Sequence, residues 1–276
     1  MECPLVALGF LALIALGCHV QPPQVPSEVI PFRLGQSEIT FVVHATDRTH
    51  PALLVLHDDE NTAVEAGLET IRARGGRLVE VQAQGDRLVD FELDGARWRF
   101  DPNRIFTEAG ATATLRAYNG DAPAGVLAEV RRFADAVLAA YDVGSPRPLV
   151  TLHNNTEGEY SALSYLPGGD HARDAAAIHL PPAASPDDFF FVTDRQLFDG
   201  LAREGFPVVL QDNMRMTDDG SLSVWAGRRG VPYVNVETKH GHRARQIEML
   251  EALGRVLAEL PGTADQGSAS SPSRGQ

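Results

Sequence analysis

Four side chains in this sequence are of types and spacing that could do chemistry together. His57 and Glu60 stand three positions apart, just past the apolar run 52–56. His153 closes a second apolar run, 148–152, and Glu237 closes a third, 231–236. Each therefore falls at or just beyond the C-terminal end of a predicted strand, the edge of an open α/β sheet where ligand sites are built. Two imidazoles and a carboxylate suit one zinc ion with a fourth position left for water, and one further carboxylate can serve as general base. Taken singly, an HxxE is a weak signal, and a lone histidine more often satisfies backbone groups in a core. The four together, in order, give the pattern its weight. Asp58 and Asp59 read as turn residues. His240-Gly-His242 is a rival histidine pair, on an expected loop just beyond Glu237.

The elements that must position these residues follow from periodicity. Segments 39–43, 52–56, 77–81, 88–93, 98–100, 149–152, 189–192, 207–210 and 233–236 are short, β-branched or alternating, and predict strands. Asp94-Gly95 predicts a hairpin turn between two of them. Val64, Leu68 and Ile71 at helical spacing predict a helix over 62–74 that stops at Gly75-Gly76. Val126, Val130, Phe133, Val137 and Leu138 share one face of a helix over 125–141, and further helices are expected over 196–204 and 243–260. Strands and helices alternate throughout. The expected class is α/β: one three-layer α/β/α domain over residues 32–261, with a mixed, largely parallel sheet.

Composition bounds the rest. At 276 residues, 43% apolar, the chain can bury one sizeable core. A net charge of −13 argues against sequence-independent nucleic-acid binding, which needs a basic face. Residues 4–17 form the one long apolar stretch, short for a membrane span, and resemble a signal-peptide core. Ala15-Leu16-Gly17-Cys18 resembles a bacterial lipobox, although Met1-Glu2-Cys3 supplies no Lys or Arg and Ala15 stands where Leu is usual. The expectation is a leader over 1–18, a Pro-rich tether over 19–31 and a disordered Ser/Gly-rich tail over 262–276. It implies export to a bacterial cell envelope, with membrane contact only through an acylated Cys18. Lipidation of Cys18 would leave the folded domain without cysteine, hence without disulfides, thiol catalysis or Cys-type zinc sites.

The motifs resemble the zinc carboxypeptidase family and the related succinylglutamate desuccinylase and aspartoacylase branch. Those enzymes carry HxxE, then a His at a strand end; here His153 follows Glu60 by 93 positions. Between them lies an Asn-Arg pair, matched by Asp101-Pro-Asn103-Arg104-Ile-Phe106, close to the D-x-N-R-x-F form of the desuccinylase branch. Gly220-Ser-Leu-Ser-Val-Trp225, then Gly230 and Glu237, follow the order of the carboxypeptidase specificity loop and catalytic glutamate. The resemblance covers about residues 50–242. It implies a zinc carboxypeptidase-like fold and one Zn2+ per chain on His57, Glu60 and His153. It further implies Glu237 as general base, Asn103 and Arg104 gripping a substrate carboxylate, and Ser221 and Leu222 at the specificity position. Arg97 and Arg99 are the nearest candidates to assist the developing oxyanion and Arg87 a third; spacing does not choose among them. Met214-Arg215-Met216 stands where digestive carboxypeptidases have a Tyr, so no phenol is expected there and Arg215 is the candidate in its place.

The function implied is zinc-dependent hydrolysis of an amide in a small peptide with a free carboxylate, a cell-wall peptide being the natural class for an exported enzyme. The alternatives are deacylation of an N-acyl amino acid, or a tethered binding protein without turnover.

Overall fold

Nine strands share one sheet because their residues alternate between two apolar layers. In the computed structural model, which describes residues 24–46, 52–141 and 148–260, Leu53 and Val55 point into one core while Leu54 and Leu56 point into the other. A sheet buried on both faces needs helices on both. The elements run β1 (Ser27–Leu34), β2 (Ser37–Ala45), β3 (Ala52–Val55), α1 (Asn61–Arg74), β4 (Arg77–Gln82), β5 (Val89–Leu93) and β6 (Ala96–Phe100). They continue with α2 (Glu108–Asn119), α3 (Ala124–Tyr141), β7 (Leu149–Asn155), β8 (Ala175–His179), β9 (Phe189–Val192) and α4 (Arg195–Arg203). The last four are β10 (Val208–Gln211), α5 (Leu222–Arg229), β11 (Tyr233–Lys239) and α6 (Arg243–Glu259). Ile71 of α1, Leu201 of α4 and Leu253 of α6 fill one layer. Leu115 of α2, Phe133 of α3 and Ala226 of α5 fill the other, which also takes Phe91 and Phe100 of the β5–β6 hairpin.

The sheet order is β1-β2-β4-β3-β7-β11-β9-β10-β8. The run β4-β3-β7-β11 is parallel throughout, as is β9–β10. The pairs β1–β2, β2–β4, β11–β9 and β10–β8 are antiparallel, so the sheet is mixed. The parallel centre turns the ends of β3, β7 and β11 toward one edge.

Three local readings change. Residues 27–31, assigned to the tether by composition, are the first part of β1, paired with β2 from Ser27↔His44 to Leu34↔Ser37. β1 is an outer strand, where Pro31 can sit without a missing N–H weakening the sheet. The turn between β1 and β2 needs Gly35: its φ is +57°, and a Cβ there would lie 2.2 Å from the Glu92 carbonyl oxygen. Helix α2 escapes periodicity because its buried face is small, Gly110, Ala111, Thr114 and Leu115. It is set instead by its ends, with Thr107 Oγ1 accepting the Gly110 N–H at 3.1 Å and Gly120 closing it. Helix α5 occupies the segment read as a specificity loop. The expected leader, most of the tether and the tail lie outside the described residues; among those described, no helix is long and apolar enough to cross a membrane.

Candidate metal centre and its cavity

Strand register does the positioning. β7 and β11 place Thr151 opposite Asn235 and His153 opposite Glu237. Alternation then puts Thr151, His153 and Asn155 on one face with Tyr233, Asn235 and Glu237 beside them. β3 borders β7 on its other side. The chain leaves β3 through the turn His57–Glu60, in which the Glu60 N–H donates to the His57 carbonyl at 3.2 Å. Asp58 is a turn residue, as expected: its Oδ2 accepts from the Ala83 and Gly85 amides at 2.7 and 2.6 Å.

These two placements bring His57, Glu60 and His153 together, all buried, with one ligand atom from each within 4.8 Å of the others. His57 Nδ1 lies 2.9 Å from Glu60 Oε1, and His153 Nδ1 lies 3.0 Å from Glu60 Oε2. No other group of three such donors occurs among the described residues. The rival pair divides: His240 lines the cavity, whereas His242 Nδ1 sits 3.3 Å from Asp188.

His57 has a carboxylate at each ring nitrogen, since its Nε2 is 3.0 Å from Asp101 Oδ1. Burial opposes charge on the ring, yet the Glu60 and Asp101 carboxylates outweigh it and hold the imidazole pKa up at about 9. Glu60 is the mirror case: burial would raise it, and His153 and His57 instead hold it well below the usual carboxylate range. Asp101 is held low in the same way, by His57 and then Arg104. The cluster is thus a buried anionic centre whose charge is partly balanced by the proton held on His57. A divalent cation could take that balancing role. Each imidazole would then be neutral, with Nδ1 toward the ion and, on His57, Nε2–H donating to Asp101, the outer carboxylate that orients metal-binding histidines. The donor set fits the ion that the sequence suggests. Asp101, which the sequence shows only as the first residue of the Asn-Arg motif, is the residue that reading missed; its Oδ1 also accepts the Asn103 N–H at 2.8 Å and so starts the short turn Pro102–Arg104.

Glu237 is buried, and burial raises its carboxyl above the ordinary range. Asn235 Nδ2 donates to its Oε2 at 2.9 Å. Asn235 accepts in turn from Thr151 Oγ1 at 3.4 Å, and that hydroxyl bonds the Tyr233 hydroxyl at 2.6 Å. A positioned, proton-avid carboxylate stands beside the candidate metal ligands.

A cavity of about 670 Å³ opens over these groups and includes Glu60, His153 and Glu237 on its wall. Asn103, Arg104 and Ser221 line it as expected. Arg104 Nη1 donates to the Asn103 carbonyl at 2.9 Å and lies 3.6 Å from Asp219, so its partner is Asp219 rather than Asp101. Asn103 Nδ2 reaches to 3.5 Å of His153 Nε2, and its Oδ1 accepts from the Leu222 N–H at 3.3 Å.

Other expectations are corrected. Arg97 and Arg99 are not on the cavity wall. Both lie on β6 and pair with Asp90 of β5, Arg99 through Nε and Nη2 at 2.6 Å each. Of the three candidates for the oxyanion, Arg87 is the one on the cavity wall, its Nη1 3.1 Å from Glu60 Oε1. Leu222 is the first residue of α5 and points into the apolar core; Ser223 and Val224 reach the cavity instead. Arg215 is exposed and off the wall, and the missing phenol is supplied from another segment. Tyr160 and Tyr165 both line the cavity, their hydroxyls 2.5 Å apart, and burial raises both so that they stay protonated. Their place after His153 was the one sequence clue to that role.

No protein-family model matches the chain, and no curated protein matches it. Among solved structures the chain is similar to a succinylglutamate desuccinylase from Vibrio parahaemolyticus, with 14% identity over 89% of this chain and 70% of that one, at a TM-score of 0.39. It is also similar to an aspartoacylase family protein from Mesorhizobium loti, with 14% identity over 84% and 68% of the two chains, at a TM-score of 0.41. Both bear names from the branch that the sequence motifs resemble.

Proposed function

We propose that this protein is a zinc-dependent amide hydrolase acting on a small substrate with a free carboxylate. The observation that carries the reading is the buried His57, Glu60 and His153 cluster beside the buried carboxylate of Glu237, with Glu60, His153 and Glu237 on the wall of one cavity. Zinc bound at that cluster would supply Lewis acidity toward an amide carbonyl and lower the pKa of an attacking water.

This chain's own residues do the rest. Glu237, held by Asn235, accepts the water proton as the oxygen adds to the carbonyl carbon, then delivers it to the amine nitrogen as the C–N bond breaks. Arg87 brings positive charge beside Glu60 and can balance the charge that develops on the carbonyl oxygen. Arg104 offers its planar fork to the substrate carboxylate, and the Tyr160–Tyr165 pair has one hydroxyl proton to donate.

A peptide with a free C-terminus, including cell-wall peptides, is the leading substrate class; N-acyl amino acids are the alternative. Export with Cys18 as a lipid anchor belongs to the same proposal and rests on the sequence of residues 1–31.

The test is elemental analysis of metal in purified protein, followed by a panel of C-terminally free, C-terminally amidated and N-acylated substrates. About one zinc per chain and hydrolysis confined to substrates with a free carboxylate is expected. Folded protein that neither contains nor takes up zinc would sink the reading, and indifference to C-terminal amidation would remove Arg104 as the clamp.

A further inference from the structure

Gln211 ends β10 and is buried, yet it lines the cavity. Its amide cannot turn over freely. Nε2 donates to Asn213 Oδ1 at 2.9 Å and to the Ser223 carbonyl at 3.1 Å. Asn213 is itself oriented, because its Nδ2 donates to the Thr193 carbonyl at 2.9 Å. Gly227 of α5 closes over the same amides: a Cβ there would come within 2.5 Å of both Gln211 Nε2 and Asn213 Oδ1. With both amide hydrogens committed to protein acceptors, what Gln211 offers the cavity is its carbonyl Oε1, to which none of the described residues donates. An acceptor held in one orientation and open to the cavity loses its solvent partner when a substrate fills the space, unless the substrate donates to it.

Around it the wall is part apolar, with Phe191 and Val224, and part hydroxyl, with Ser223. The wall also carries Asp170, Asp174 and Asp219, so a cationic side chain finds counter-charge in the same cavity, and only side chains without a donor are disfavoured.

We infer that Gln211 is a specificity-determining residue: it selects substrates whose side chain carries a neutral hydrogen-bond donor, a primary amide or hydroxyl, over apolar side chains of the same length. The inference rests on the hydrolase reading and names the substrate class of the same cavity. The methylene stem packs against Phe191 and Val224, and the terminal N–H or O–H donates to Gln211 Oε1. A side chain without a donor displaces solvent from Oε1 and leaves it unpaired, which lowers kcat/KM by roughly ten- to a hundredfold.

The experiment compares benzoylglycyl-glutamine with the near-isosteric benzoylglycyl-methionine on the zinc-loaded wild type and on Gln211→Met. Calorimetric titration of free glutamine and methionine runs in parallel. The expected result is a preference for glutamine of at least tenfold in the wild type, lost in Gln211→Met. Equal treatment of glutamine and methionine by the wild type overturns the inference, as does a preference that survives Gln211→Met. Should that variant fail to fold, the wild-type comparison decides alone. If neither peptide is hydrolysed, the hydrolase reading fails separately. Titration then judges the pocket: tighter glutamine binding supports the assignment, and equal or undetectable binding overturns it.

Discussion

Two regions of this molecule gather arginines, carboxylates and strand ends, and only one of them builds a site. At the ends of β3, β7 and β11, Glu60 has a side chain 1% exposed, in contact with His57, His153 and Arg87. On the β5–β6 hairpin, Asp90 holds Arg97 and Arg99, whose side chains are 69% and 42% exposed. In the first cluster a buried carboxylate meets two buried imidazoles; in the second, Asp90, its side chain 8% exposed, meets only guanidinium groups that reach solvent. Two imidazoles buried against one carboxylate are costly unless paired, so their presence at strand ends marks a place where something other than stability fixes the residues. Guanidinium groups that reach solvent are nearer to ordinary surface chemistry.

The largest effect expected from this contrast is loss of the metal. His153→Ala or Glu60→Ala removes one of three protein ligands and should abolish both stoichiometric zinc and turnover. Glu237→Gln separates the two: zinc stays while kcat falls by roughly 10²–10⁴, the usual worth of a positioned general base. Zinc retained at full stoichiometry in His153→Ala would refute the ligand set. An unchanged rate in Glu237→Gln would take that residue out of the chemistry.

Next comes the outer carboxylate. Asp101→Asn keeps the shape but cannot stabilise the His57 ring as a ligand in the same way, and zinc affinity should fall about 10–100-fold. Competition with a chromophoric chelator measures it directly. Affinity equal to the wild type would leave Asp101 with only its turn-forming role.

Acid–base linkage sharpens the same contrast. In metal-free protein the His57 pKa is raised to about 9, against about 6.5 unfolded. A raised histidine contributes stability that is fully present below its unfolded pKa and is lost as pH rises through the folded one. The metal-free melting temperature should therefore fall from about pH 6.5 to about 9. Zinc replaces that proton, so its stabilisation should grow across the same window. Thermal scans of both forms check this, and a flat metal-free profile would show that the carboxylates do not hold the proton on His57.

The sequence made the four central residues legible because each closes an apolar run, and strand ends in a parallel sheet converge. The same logic could not choose among Arg87, Arg97 and Arg99. They lie within twelve positions of one another, and which one meets the cavity depends on how a hairpin folds over the sheet. Asp58 decides that locally, by tying the Ala83–Gly85 segment to the His57–Glu60 turn, a tertiary contact with no periodic signature. Leu222 went astray for a related reason: a segment read as loop is helix α5, and its 3.6-residue turn sends Leu222 inward and Ser223 and Val224 to the cavity. Asn235 and Gln211 look like ordinary polar strand residues in sequence. Their roles come from neighbours on other strands and on α5.

The smallest predicted effects, those at Arg97 and Arg99, test the comparison most directly when set beside Arg87. Arg87→Ala removes the cation facing Glu60 and should lower kcat by about 10²-fold, in the range seen when one donor to a developing oxyanion is lost. Arg97→Ala and Arg99→Ala should leave kcat and KM within about twofold, because neither side chain reaches the cavity. Both guanidinium groups reach solvent, and either can still hold Asp90 when the other is removed, so the melting temperature should move by no more than about 3 °C. The three substitutions remove the same charge from one short stretch of chain, so a general electrostatic effect would move all three rates together. A large loss in Arg87→Ala alone would identify position in the fold, rather than charge, as what makes an arginine functional here. A loss in Arg99→Ala equal to that in Arg87→Ala would mean that the hairpin closes over the cavity when substrate binds.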